Sequence, residues 1–495
     1  MLLLYWILFL GFLFLPLLLL FAIWEERRQA VRDVVREGWA LYRRDAWGSD
    51  EYKPISRSGH NLTQAGGVGF GIVDALDLFL IMDLKPEYED ARSWTLNDLT
   101  FELDDYYSVF ETTIRVLGGL LSTYHLSGET DSRLLAKAED LGGRLLGAFD
   151  TATGLPALRV NLKTRYPDLS DATNYLSEVG TLQLEFRYLS QLTGNMTVMD
   201  YLAEKEPPSG VYPLTIDIHS GKLTGDYLSL GARSDSFYEY LLKQWLQSNG
   251  TDDRALQMHY RTSRGIEELL LQRTPESHLL YMSDVQSGIP TYSMEHLACF
   301  YAGHLSLSST YAHGKGFWRD HIRANNDLQM GQALGETCYL SYHRTKTGLG
   351  PESMYFRREE RSDEEVRRGL DPDFILSATD MSDRSSYRLR PETVESLFLL
   401  WRATGDVIWR ERGWEVFQAI VRSAKLPTGG YATVINVNVD PSEHADTTET
   451  FFYAETLKYL YLLFGPDDLI PLDRYVFTTE AHPFPIINPK KGLLA

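Results

Sequence analysis

The chain is poor in what many functions require. It has 495 residues but only two cysteines, Cys299 and Cys338. That excludes a disulfide-rich scaffold and a centre built on several thiolates. The pair fits one disulfide in an oxidising compartment and fits two buried thiols equally well. Positive charge is also short: 48 Lys and Arg face 68 Asp and Glu, a formal charge of −20. Phosphate binding needs basic patches, so this balance argues against nucleic acid as a partner. The 12 histidines show no zinc spacing. No G-x-S-x-G elbow, Walker loop or H-E-x-x-H motif occurs. "GGVGFG" (66–71) runs straight into a helical pattern with no preceding strand, so it reads as a loop rather than a nucleotide site. Strand signal is sparse. "YATVINVNVD" (431–440) and "RYVFTTEAHPFPI" (474–486) read as short strands or extended loops.

What the chain does have begins with one long apolar run. Residues 2–24 carry no charge, and about 20 apolar residues suffice to span a bilayer. The run is longer than an ordinary signal-peptide core and lacks a clear small-x-small cleavage site, so it reads as an uncleaved signal anchor over residues 1–24. Residues 25–53 hold seven Lys/Arg and seven Asp/Glu, and the positive-inside rule would put that side in the cytosol. Sequons at Asn61, Asn195 and Asn249 argue the reverse, for a lumenal chain.

Beyond residue 30 the period is helical. "SVFETTIRVLGGLLSTYHLSGE", "LQLEFRYLSQLTGN", "YEYLLKQWLQSNG", "VESLFLLWRATGD" and "AETLKYLYLLFGP" are apolar helices with a carboxylate near the start and a glycine at the end. The closing glycines are Gly128, Gly194, Gly250, Gly405 and Gly465. Their spacing allows about seven helical hairpins. Helices apolar nearly all round belong in an interior, so a closed ring with an inner apolar layer is expected, one large domain rather than several. The mixed-charge run 357–371 reads as a solvated loop or exposed helix.

Acidic residues recur at the helix starts: Glu111, Glu178, Asp235, Glu239, Glu295, Glu392, Glu395, Glu449 and Glu455. Each could simply cap or ion-pair within its own helix. A ring could instead gather them in one cavity, where paired carboxyls suit glycosidic chemistry. Glu392 follows Pro391, which fits a first helical turn, and the helix dipole there favours an ionised carboxylate. Arg115 lies four residues after Glu111 and would hold it ionised.

At the level of whole motifs the chain resembles the class I α-1,2-mannosidases, glycoside hydrolase family 47, over nearly all of residues 35–487. The resemblance rests on "DAWGSDEYKPISRSG", "SVFETTIRVLGGLLSTYHLSGE", "LSEVGTLQLEFRYLS", "LGARSDSFYEYLLKQWLQ", "MEHLACFYAGHL", "LRPETVESLFLLWRATGD", "ETFFYAETLKYLYLLF" and "VFTTEAHPFPI". It implies an all-α (αα)7 barrel plugged by a C-terminal β-hairpin, with an anchor (1–24), a short stem (25–34) and a lumenal catalytic domain (35–495). It also implies Ca²⁺-dependent, inverting removal of terminal α-1,2-linked mannose from oligomannose N-glycans. The setting would be the membrane of the endoplasmic reticulum or early Golgi, with type II topology and a monomeric chain. The rival is a mannose-binding quality-control lectin of the same fold.

By motif position, the resemblance makes Glu392 the general base and Glu111 or Asp235 the general acid. Thr479 is the direct Ca²⁺ ligand. Arg115, Arg233, Glu239, Glu295, His296, Arg390, Glu395, Phe451, Glu455 and Glu480 are pocket residues. Cys299 and Cys338 fall on the family's disulfide positions. Arg233, in "GARSDS", resembles the endoplasmic-reticulum type, where an Arg holds one glycan branch and limits trimming. Three positions depart from the pattern: Ser234 replaces Ala or Gly, Glu295 replaces Asp, and Thr478 replaces Asn. The short stem implies an active face close to the bilayer.

Overall fold

A computed structural model describes residues 2–487, apart from 194–206, 208, 314–317, 378, 380 and 381. Side chains of residues 2–21 and of the helical positions 312, 313 and 318–321 also lie outside the description. Among the described residues no helix is long and apolar enough to cross a membrane. Of the expected anchor (1–24), residue 1 and the side chains of 2–21 lie outside the description, and the sequon at Asn195 lies wholly outside it.

Inner and outer helices alternate along the chain. The inner ones are Leu76–Ile81, Gly118–Leu126, Gln183–Thr193, Asp235–Gln247, Phe300–His313, Glu392–Thr404 and Lys458–Phe464. Between them run Lys85–Asn97, Ser132–Leu145, Asp253–Leu269, Trp318–His343 and Ile408–Ser423 on the outside. The last inner helix packs against the first helix, Leu2–Asp45. This is the expected barrel of helical hairpins.

Burial follows the sequence pattern. In Glu392–Thr404 every residue from Thr393 to Trp401 is buried, and all of Lys458–Phe464 is buried. Ser132–Leu145 buries only one face, as an amphipathic outer helix should. Pro391 directly precedes its helix, and Gly405 closes it at φ 68°, a left-handed cap that glycine adopts without strain. Cys299 and Cys338 form a disulfide between the start of one inner hairpin helix and its outer partner.

The C-terminal hairpin pairs Tyr475–Phe477 with Pro483–Pro485 and enters the barrel from the end opposite the inner helix starts. Phe477 packs on Phe398 and Tyr459, and Phe484 on Tyr188. Its tip, Thr478–His482, therefore lies inside the ring. The segment 431–440 forms isolated bridges rather than a strand, because Val434 shares its hydrogen bonds with Tyr387 in a neighbouring loop. The glycine-rich loop is satisfied internally: Asp50 Oδ1 accepts from the amides of Val68, Gly69 and Phe70. Its amides are thus occupied by the chain's own carboxylate. Residues 25–34, expected as a stem, are helical, and Val31 and Val34 are buried against the barrel.

Candidate active site

One cavity of about 400 Å³ opens at the inner helix starts. Eight acidic side chains line it: Glu111, Glu178, Asp235, Glu239, Glu392, Glu395, Glu455 and Glu480. Three arginines answer them, Arg115, Arg233 and Arg390. Glu295 and Glu449, also acidic helix-start candidates, are not among the lining residues.

Local backbone explains how so many carboxyls converge. Ser108 caps the turn that carries Glu111, its hydroxyl accepting from the Glu111 amide at 3.1 Å. The chain then widens into a π-helix over Thr112–Leu117, and a second π-helix spans Phe452–Leu457. Such wide turns are rare and concentrate at functional sites. They carry Arg115 and Glu455. Arg115 Nε donates to Glu111 Oε2 at 2.8 Å, the expected i,i+4 pair. Its Nη1 reaches Thr450 at 3.1 Å and pairs with Glu480 and Asp74. One guanidinium thus ties the first wall of the pocket to the hairpin tip.

Glu392 is held from two sides. His296 Nδ1 lies 2.7 Å from its Oε2, and Arg390 Nη1 lies 3.9 Å from its Oε1. His296 is fully buried behind the carboxylate, with Nε2 2.7 Å from the Tyr342 hydroxyl. Burial alone would raise the Glu392 pKa. The hydrogen bond and charge of His296 and the charge of Arg390 outweigh it and hold the pKa below the ordinary range. Arg390 is itself clamped by Glu352, whose carboxylate accepts from Nε at 3.0 Å and from Nη2 at 2.8 Å.

Asp235 behaves oppositely. Its Oδ1 accepts from the Ser177 hydroxyl and the Ser236 amide, both at 2.8 Å. Burial outweighs those bonds, and the charges of Glu239 and Glu392 add to it, so its pKa rises to about 7. Burial and the charge of Glu111 also lift Glu178 to about 7. Deeper in, Lys243 pairs with Glu239 and lies 3.8 Å from Glu395. Burial still lifts Glu395 to about 8, against the pull of Lys243.

At the floor, the Thr479 amide donates to the Tyr240 hydroxyl at 3.3 Å, and that hydroxyl donates to Glu185 at 2.6 Å. The turn is anchored from below: Lys458 Nζ donates to the Ala481 carbonyl at 2.9 Å and pairs with Asp77 at 2.8 Å. His482 lies 2.7 Å from Asp77 and 3.4 Å from Asp74.

The solved and curated relatives bear directly on this arrangement. Residues 34–486 match the profile of glycosyl hydrolase family 47. The chain belongs to that family. It is 40% identical over 480 residues to the endoplasmic reticulum mannosyl-oligosaccharide 1,2-alpha-mannosidase of Homo sapiens, covering 94% of this chain and 64% of that protein. It is 38% identical over 476 residues to mannosyl-oligosaccharide 1,2-alpha-mannosidase IA of Sus scrofa, with 94% and 68% covered. The structure superposes on an alpha-1,2-mannosidase from Trichoderma reesei with a TM-score of 0.83 at 26% identity, over 94% of this chain and 99% of that one. This chain thus spans less than two thirds of the length of its human relative.

In this family 47 chain, Glu111, Arg115, Arg233, Asp235, Glu239, Arg390, Glu392, Glu395, Phe451, Glu455, Thr479 and Glu480 all line the cavity. Two expected pocket residues stand behind it. His296 backs Glu392, and Glu295 accepts from the Ala232 amide at 2.7 Å. A Cβ at Gly231 would come within 2.2 Å of that Glu295 oxygen, so the carboxylate packs directly against the glycine. Glu352, Asp74 and Ser177 escaped the sequence reading. Their partners Arg390, Arg115 and Asp235 lie 38, 41 and 58 residues away, and no local spacing reports such pairs.

Proposed function

We propose that this chain is an inverting α-1,2-mannosidase that trims terminal mannose from oligomannose N-glycans. The observation that carries the proposal is the divergence of two carboxyls in one pocket, Glu392 held ionised and Asp235 held protonatable near neutrality. Divergent environments of this kind assign base and acid. Glu392 takes a proton from a water molecule, and the water oxygen attacks C1 of the terminal mannose. The bond from C1 to the glycosidic oxygen breaks on the opposite face. That oxygen receives a proton from Asp235 or Glu111, directly or through a water. The products are β-mannose and a glycan shorter by one residue.

Ca²⁺ fits the floor. The Thr479 hydroxyl and carbonyl have no hydrogen-bond partner among the described residues, and the residue lines the cavity. Eight carboxyls line the same cavity, an oxygen-rich wall of the kind a hard cation and its waters favour. Among the described residues no cluster of His, Cys, Asp or Glu is placed to hold a metal by itself. Thr479 oxygens would therefore hold the ion together with water and sugar hydroxyls, an all-oxygen shell that suits Ca²⁺. Bound there, the ion would orient the terminal sugar and polarise its hydroxyls.

Arg233 supports the restricted, endoplasmic-reticulum-type specificity. It stands exposed at the mouth, with its guanidinium 3.8 Å above the Tyr175 ring and its carbonyl accepting from the Ser177 amide at 2.8 Å. The apolar run 2–24 supports a membrane anchor with the barrel on the lumenal side. Incubating the full chain with Ca²⁺ and an oligomannose glycan tests the activity. Release of mannose, first detected as the β-anomer by NMR, is expected. Intact glycan with retained binding would instead favour the lectin.

A further inference from the structure

The first helix carries information about orientation. It runs unbroken from Leu2 to Asp45, and the uncharged run ends at Trp24. Packing into the barrel starts at that same residue. Trp24 is buried, stacks on Phe464 and lies beneath the Arg410 guanidinium at 4.5 Å. Arg27 pairs with Glu411 at 2.9 Å and lies over the rings of Trp24 and Trp414. No slack separates the apolar run from the folded domain.

The direction of the helix then matters. Arg28 lies over the Tyr461 ring, whereas Gly38 sits against the Tyr453 side chain. The first helix is therefore antiparallel to the last inner helix. Its start is level with Phe464, Trp401 and the turn at Gly405, the ends of inner helices. Its finish is level with the pocket: Tyr52, bonded to Asp45 at 2.9 Å, bridges Thr448, two residues from the Thr450 that touches Arg115. From Trp24 to Asp45 the helix rises about 30 Å.

We propose that the apolar run and the first barrel helix form one rod that holds the pocket mouth away from the bilayer. This rests on the anchor reading above, and it reverses the expectation that a short stem brings the active face to the membrane. The membrane-facing end is the ring of turns at Asp83, Gly128, Gly405 and Asp467, with Val407 and Ile408 exposed beside it. The substrates the mouth can reach are glycans carried on polypeptide about 30 Å or more above the headgroups. Sugars attached to lipid by a short tether lie below it.

The test uses the full chain in vesicles containing an energy-accepting lipid. Both native cysteines are in the disulfide, so one introduced cysteine gives a unique label. Val407→Cys labels the base. Ile289→Cys labels the hairpin following Val285–Gln286, which pairs with the strand leading into Arg233 at the mouth. Donor emission at 407 should be mostly lost and emission at 289 mostly kept. Equal quenching, or stronger quenching at 289, in a chain that floats with the vesicles overturns the orientation while leaving the anchor intact. A chain that does not float overturns the anchor reading and the orientation with it. As a second readout, an α-1,2-mannosyl glycan on a short lipid tether in the same vesicles should be spared while the same glycan on a soluble peptide is trimmed. Equal trimming of the two counts against the proposal.

Discussion

At Glu392 two neighbours settle a protonation state. His296 and Arg390 offset the burial of the carboxylate, and its pKa lies below the ordinary range. Glu392→Gln keeps the shape and removes the base. Turnover should fall by about 10²–10⁴-fold with oligomannose binding retained, checked by mannose release alongside calorimetric binding. Asp235 titrates near 7, raised chiefly by burial. A group needed in its protonated form loses function as pH rises through its pKa, so activity should decline above about pH 7. Asp235→Asn should remove that decline together with most activity. An aryl α-mannoside whose leaving group needs no proton should recover rate in whichever of Asp235→Asn or Glu111→Gln has lost the acid. Of this chemistry, the sequence showed the Glu111–Arg115 pair and the dipole at Glu392, since both are local. His296 against Glu392 spans 96 residues, and only folding brings them together.

At the scale of elements, the C-terminal hairpin owes its position to buried charge. Lys458, Asp77 and His482 are fully buried, and Asp77 pairs with both Lys458 and His482. Burial would raise the Asp77 pKa, but the charges of Lys458 and His482 bring it down to about 2. Removing one partner of such a group leaves an unanswered charge in the interior. Lys458→Met should therefore destabilise the fold by about 3–5 kcal/mol, read from chemical or thermal unfolding. Helix starts and stops were legible from Pro391, Gly405 and the apolar period. The two π-helices were not: "TTIRVL" and "FYAETL" read locally as ordinary helix, and nothing in their local spacing marks the wider turn.

At the scale of the whole molecule, the first helix serves as both barrel wall and the proposed anchor extension. Residues 25–34 therefore should not behave as a dispensable linker. A chain starting at Ala22 should be soluble, folded and active. A chain starting at Val35 loses Trp24, Val31 and Val34, each buried and each worth about 1.5–3 kcal/mol. That loss, about 5 kcal/mol or more, approaches the net stability of an ordinary domain. Comparing the unfolding midpoints of the two truncations checks it. Arg233→Leu belongs to this scale as well, because it acts where an extended glycan meets the mouth. Time-resolved glycan mapping should show trimming that proceeds past the wild-type end point.

By itself the sequence determined the helical period, the apolar inner faces, the recurrent acidic starts and, through its motifs, the family. These are properties of neighbours within a few residues or of long ordered patterns, and both survive without coordinates. Tertiary structure decided which carboxyls share a cavity, which residues stand behind them and how their charges divide. It placed Glu295 and His296 outside the lining and brought Glu352 and Asp74 to the arginines. It also turned an expected stem into barrel wall. Electrostatic environment is set by groups that meet only through space, across dozens to hundreds of residues, so no local reading of the chain could have supplied it.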